Sequence, residues 1–279
     1  MRRLRSLLIL LFLIAAAEAR ASEALIPSKP TPLFNGKDLT GFYSWLQDTK
    51  RDDPRRVFSV TADGLLRISG DGFGYLSTDK SYRSYHLVAE FRWGARNWRG
   101  REGKARDSGI FLHATGPDGN SFDGDGAYKA AVECQVMQGA TGDLMLINGK
   151  AADGSRVPLR LSSAAALKRD ADGFPYWSRG GTPVTLEMGG RLNWFGKDPA
   201  WADVLDFRGG RDVEGRPSEW TRVECVCDGG RIAVVVNGTV VNEATDVRPS
   251  GGQILLQCEG SEIFFRKLEL HPLTKRRPR

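Results

Sequence analysis

The chain has 279 residues, 41% hydrophobic and 27% charged, and a formal charge of +6. Arg2, Arg3, Arg5 and Arg20 against Glu18 account for +3, and much of the rest sits in the run Lys275-Arg276-Arg277-Pro278-Arg279. With no basic helix and no aromatic-plus-basic strand motif, this charge does not mark a nucleic-acid surface.

In chain order, MRRLR followed by LLILLFLIAAA and the small-x-small steps Ala17-Glu18-Ala19 and Ala19-Arg20-Ala21 read as a secretory signal peptide over residues 1–21. The apolar run is too short to span a bilayer comfortably, the other reading being an uncleaved N-terminal anchor, and no later segment is apolar enough to cross a membrane. The expectation is an exported mature chain, secreted or periplasmic, with no membrane contact after cleavage. Residues 22–32, with Pro27, Pro30 and Pro32, form a linker. The remainder is long enough for one large all-β domain with a sizeable core.

From there short strand patterns alternate with turn signals. VFSVTADGLLRISG reads as a hairpin on Ala62-Asp63-Gly64. YHLVAEFRWG (85–94), SGIFLHA (108–114), AAVECQVM (130–137) and DLMLIN (143–148) follow. Residues 149–220 carry few strand signals and read as an irregular, substrate-binding insertion. Within it, Ser162–Lys168 (SSAAALK) suggests one or two helical turns. The last third is TRVECVC (221–227), the hairpin RIAVVVNGTVVNEA on Asn237-Gly238, QILLQCE (253–259) and EIFFRKLELHP (262–272). A basic tail, 274–279, ends the chain. The whole pattern predicts an all-β sandwich.

Cys134, Cys225, Cys227 and Cys258 have neither the spacing of a disulfide framework nor that of a zinc site. They read as buried thiols, although an exported chain also permits a bridge between strands. Asp123-Gly124-Asp125-Gly126 lacks the full calcium-loop pattern and reads as a flexible loop near the site mouth.

LFNGKDLTGF (33–42), YHLVAEFRW (85–93), DSGIFLH (107–113), VECQVMQG (132–139), EWTRVECVCDGGRIAVVVNGTVV (219–241) and GGQILLQCEGSEIFFRKLELHPL (251–273) occur in that order. Together they resemble the 3-keto-disaccharide hydrolase family over residues 33–273. The resemblance implies a concanavalin-like jelly-roll, two curved antiparallel sheets with a concave sugar-binding face. It also implies an enzyme acting on glycosides oxidised at C3. The chain departs from the family pattern at Asp107-Ser108-Gly109…His113, at Cys258-Glu259, and in the insertion NWRGREGKAR (97–106).

Alternation puts Glu133 with Gln135, His113 with Phe111, Gln257 with Glu259 and Arg266 with Phe264. On neighbouring strands of one concave sheet these would assemble a sugar site, with Asp107 beside them and Trp93, Trp98, Trp177, Trp194 and Trp201 as rim platforms. The run Glu133-x-Gln135-x-x-Gln138 supplies one carboxylate where a double-carboxylate glycosidase of this fold needs more. A 3-keto sugar needs less: a base for the C2 proton (Glu133 or His113), an enolate stabiliser (Arg266 or a divalent metal), and an acid for the leaving oxygen. An oxygen-rich metal site would draw on Glu133, Asp107 and His113. Two other functions stay open: a lectin-like carbohydrate-binding module, and an ordinary glycoside hydrolase using Glu133 and Glu259. Blander roles stand beside each residue: a solvated face for Glu133 and Gln135, a structural His113, an ion-paired Arg266, a turn-capping Asp107 and core tryptophans.

Overall fold

The computed structural model describes residues 23–98, 100–122 and 126–274; residues 1–22, where the signal peptide is expected, Arg99, Asp123–Asp125 and residues 275–279 lie outside them. No helix among the described residues is long and apolar enough to cross a membrane.

Two antiparallel sheets carry the chain. The first has seven strands, in the order β13 (Arg191–Leu192), β9 (Leu144–Ile147), β8 (Ala130–Met137), β7 (Asp107–Thr115), β17 (Gln253–Glu259), β5 (Phe73–Thr78) and β2 (Phe42–Leu46). The second runs β11 (Pro175–Trp177), β10 (Arg160–Arg169), β16 (Thr239–Arg248), β15 (Arg231–Val236), β14 (Thr221–Asp228), β6 (Tyr85–Asn97), β18 (Ser261–His271), β4 (Leu66–Ile68) and β3 (Phe58–Val60). β1 (Thr31–Pro32) adds to β18, and β12 (Thr182–Glu187) adds to β10. This is the expected all-β jelly-roll sandwich.

The turns follow from residue type. Asn237 and Gly238 both have positive φ (45° and 81°), the conformation a two-residue hairpin needs and one that Asn and Gly tolerate best. The opening motif is also turn chemistry: the Asn35 side chain accepts from the amides of Lys37 and Asp38, and Asp38 accepts from the amide of Thr40.

The core lies between the sheets. Val132, Cys134, Val136, Ile110, Leu112, Leu256 and Cys258 from one sheet meet Phe91, Phe265, Val223, Cys225 and Cys227 from the other. Each large apolar side chain buried there contributes about 1.5–3 kcal/mol. All four cysteines are free and buried, acting as small hydrophobes rather than bridges.

Two expectations fail. SSAAALK is strand β10, not a helical turn, because β10 is paired along both edges, with β16 on one side and β11 and β12 on the other. Tertiary pairing outweighs the modest helix preference of three alanines. The 149–220 region is therefore less irregular than its composition suggests, and carries β10 to β13.

Candidate functional site

Strand β8 is buried on both faces. Val132, Cys134 and Val136 enter the core, as alternation requires. Glu133 and Gln135 point the other way, but only 2% and 5% of their surfaces are exposed, so they do not form a solvated face. A second apolar layer of Tyr75, Phe111, Ala127, Tyr128 and Leu255 covers this side of the seven-stranded sheet. Tyr128 stands edge-on to Phe111 with ring centroids 5.7 Å apart.

The segment that carries Tyr128 is anchored at several points. The hydroxyls of Tyr43 and Tyr75 both donate to Asp118, at 2.8 and 2.9 Å. The Trp45 indole donates to the carbonyl of Gly126 at 3.1 Å, and Lys129 donates to Gln253 at 2.7 Å. Of the loop read as flexible, Gly126 alone is described, held by Trp45; Asp123–Asp125 lie outside the described residues.

Beneath it the strand register gathers the polar residues. Gly109 lies opposite Gln135, Phe111 opposite Glu133, and Asp107 opposite Met137. On the other side of β7, Leu255 meets Phe111 and Leu256 meets Ile110, so Gln257 and Glu259 follow beside Gly109 and Asp107. Gly109 is the key small residue. A Cβ there would overlap Glu133 Oε1 and stand 3.0 Å from Gln257 Oε1. Two long side chains from the flanking strands therefore lean together over a strand position that has no side chain.

These groups are short of partners. Glu133 Oε1, Asp107 Oδ1, Gln257 Oε1 and the Tyr128 hydroxyl are buried with no hydrogen bond. Buried polar atoms in folded proteins are normally satisfied, so four orphans in one cluster mark a place built to meet something else. Gln135 is better occupied, accepting from the amide of Val136 and lying 3.8 Å from the Met145 sulfur.

The electrostatics agree. Burial pushes the Glu133 carboxyl well above its usual range, and the nearby Glu259 and Asp107 push it further. Asp107 is raised in the same way, first by burial and then by Glu259, with Arg101 and Arg191 opposing. Glu259, half-buried at the edge of the cluster, is pushed up to about 7 by burial, against the pull of Arg101. Three carboxyl groups share one desolvated site and cannot all be charged at neutral pH.

Two arginines flank the trio. Arg101, from the 97–106 insertion, places Nη1 3.4 Å from Asp107 and bonds Asp203 at 2.8 Å. Arg191, on the short edge strand β13, is held by two bonds to Asp143 Oδ2, at 2.8 and 2.6 Å. Asp143 is fully buried and also accepts from Lys197 Nζ at 3.2 Å and the amide of Trp194 at 2.7 Å. Burial alone would lower the Arg191 guanidinium; Asp143, and behind it Glu133 and Asp107, hold it above its usual value.

Three sequence expectations are corrected. His113 does not share the face of Phe111. A bulge between Leu112 and Thr115 gives His113 a φ of 57°, turning its ring into the sandwich against Tyr85. There Nδ1 donates to the Pro249 carbonyl at 2.9 Å, and burial lowers the imidazole to about 4, so it is neutral. The metal set of Glu133, Asp107 and His113 consequently does not assemble, and among the described residues no group of three or more His, Cys, Asp or Glu is placed to hold a metal ion. Arg266 belongs to the other sheet. It bonds Glu90 at 2.6 Å and lies over Trp220, far in the fold from Glu259.

The tryptophans are mostly structural. Trp93, Trp177 and Trp194 are buried in the main core, and the Trp194 indole donates to the Gly139 carbonyl at 3.2 Å. Trp201 is half-buried and donates to the Gln138 carbonyl at 2.9 Å; Trp98 is half-buried in the insertion. Gln138 is a clamp: its side chain accepts from the amides of Arg106 and Asp206 and donates to the Asp206 carboxylate.

The sequence profile of the 3-keto-alpha-glucoside-1,2-lyase-like domain matches residues 29–271. The chain belongs to this family. Family membership makes it a carbohydrate-acting, glycosidase-like protein. Among curated proteins none matches in sequence. Among solved structures, a proposed glycosyl hydrolase from Parabacteroides distasonis is similar at 16% identity and a TM-score of 0.47, covering 88% of this chain and 94% of that one. A carbohydrate-binding module from Bacillus subtilis is similar at 12% identity and a TM-score of 0.43, covering 83% and 96%. A Bacillus licheniformis beta-glucanase is similar at 11% identity and a TM-score of 0.42, covering 88% and 97%. At these levels the functional assignment rests on the family match alone.

Proposed function

We propose that this chain is an exported enzyme that cleaves 3-keto-glycosides by elimination followed by hydration, with Glu133 as the proton-transferring group. One observation carries the reading: a buried Glu133 with an unpartnered oxygen, raised basicity and a fixed cation, Arg191, nearby.

A ketone at C3 acidifies the hydrogen at C2. Glu133, when ionised, takes that proton, and the C–H electrons form an enolate whose charge rests on the C3 oxygen. Arg191, oriented by Asp143, supplies the charge that steadies this oxygen. The enolate then re-forms the ketone, a C1–C2 double bond forms, and the C1–O bond breaks. The departing oxygen takes a proton from a neutral carboxyl of the trio, Asp107 or Glu259. Water adds to C1 and a proton returns to C2, giving the free 3-keto sugar. Burial and its acidic neighbours raise the basicity of Glu133, which favours its taking this proton. Gln257 and Gln135 act as ligands for sugar hydroxyls.

A second reading has an observation in its favour. Strand β8 supplies one carboxylate, yet Asp107 and Glu259 stand beside it, so ordinary hydrolysis with Glu133 and Glu259 is not short of acids. Incubating the protein with a 3-keto-glucoside and, separately, with its unoxidised parent separates the two. Release of 3-ketoglucose from the oxidised substrate alone supports elimination; cleavage of the parent overturns it, and binding without turnover identifies a lectin-like module.

A further inference from the structure

A cavity of about 660 Å³ opens where β10 and β11 meet the 195–211 segment, and its lining includes none of the acidic trio. An adjoining cleft of about 470 Å³ shares Trp177, Ser178 and Phe195 with it, so the two form one groove past the Trp177–Phe195 pair. Those rings meet edge to face with centroids 6.0 Å apart. Phe195 is 36% exposed, a large apolar ring left in solvent.

The groove also contains a polar group without a partner. Tyr176 lines it and is only 5% exposed, yet its hydroxyl makes no hydrogen bond. Around the rings, Lys168 and Arg211 line the larger cavity and Arg179 the smaller one. Among the described residues none of these three cations has an ion-pair partner. The one acid in the lining, Asp198, is occupied by its own loop, accepting from the amides of Ala200 and Gly210. Lys197 is tied to Asp143 and Asn193 at the groove floor.

We propose that this groove binds an acidic saccharide, a pyranose ring carrying a carboxylate. The aromatic pair offers an apolar wall for the C–H face of the ring, and Tyr176 offers a hydroxyl to bond. The unpaired Lys168, Arg179 and Arg211 select for a negative charge over a neutral ring. The Lys197–Asp143–Arg191 chain of ion pairs lies between the groove and Glu133, and none of the acidic trio lines the groove, so Glu133 is not itself part of this binding surface.

The test is titration of the mature protein with sodium glucuronate and, in parallel, with glucose, followed by isothermal calorimetry and tryptophan fluorescence. Glucuronate is expected to bind about tenfold more tightly than glucose, and the preference to shrink at high salt. The double variant Lys168→Glu/Arg211→Glu, both exposed positions, is expected to lose about tenfold in glucuronate affinity while melting like the wild type. Phe195→Ala is expected to weaken both sugars, and Glu133→Gln neither. Equal affinity for the two sugars, insensitivity to the double charge reversal, or loss of binding in Glu133→Gln would each overturn the assignment.

Discussion

Replacing Glu259 with Gln tests the electrostatics of the acidic trio through stability alone, without any substrate. Its carboxyl is raised from 4.5 to about 7 in the folded protein. Because the folded pKa lies above the unfolded one, the native state holds this proton more tightly. The stabilisation is fully present below about pH 4.5 and is lost as the pH rises through about 7. A shift of this size corresponds to about 3 kcal/mol, an upper figure because Glu259 is only half-buried and solvent screens it. The amide variant cannot ionise, so it escapes the loss. For a domain of this length about 1 kcal/mol moves the melting temperature by about 2–4 °C. Thermal melts of both proteins between pH 4.5 and 8.5 should give a difference that opens with pH and favours the variant by up to about 10 °C above pH 7. A difference that is constant with pH, or that favours the wild type at high pH, would refute the claim that the trio is crowded and desolvated.

Gly109→Ala should abolish activity and cost about 1–3 kcal/mol, since the new methyl overlaps Glu133 Oε1; activity surviving with the fold intact would mean that the slot over β7 is not used. Asp143→Ala should destabilise by about 3–5 kcal/mol in chemical denaturation, because it leaves Arg191 and Lys197 without their buried partner. Arg266→Ala should leave turnover unchanged and cost less than about 1 kcal/mol, as expected for an exposed pair on the opposite sheet. His113→Gln should affect stability rather than the pH profile of turnover, since the imidazole is neutral and lies inside the sandwich.

Much of the site was legible because alternation is local. The faces of Glu133, Gln135, Gln257 and Glu259 follow from counting residues along β8 and β17, and the register then brings them together. His113 broke the rule because one residue in a left-handed conformation reverses the parity of everything near it, and no pattern in SGIFLHAT announces a bulge. Arg266 was misplaced for a different reason: a strand pattern tells which face a residue takes, not which sheet the strand joins. Arg191 was invisible. It sits in a two-residue strand within a glycine-rich stretch, and acquires its role from Asp143, 48 positions earlier in the chain. Arg101 lies in the 97–106 insertion, which departs from the family pattern, but its contacts with Asp107 and Asp203 depend on the folded loop. Tyr128 carried only the faint signal of an aromatic just before the acidic strand.

The central claim is that Glu133 transfers the C2 proton of a 3-keto sugar. Solvent deuterium incorporation at C2, measured by NMR during incubation of a 3-keto-glucoside with wild type and with Glu133→Gln, tests it most directly. Deuterium at C2 and release of the aglycone are expected with wild type, and loss of both by about 10²-fold or more with the variant. Wild-type exchange and cleavage persisting undiminished in Glu133→Gln would contradict it.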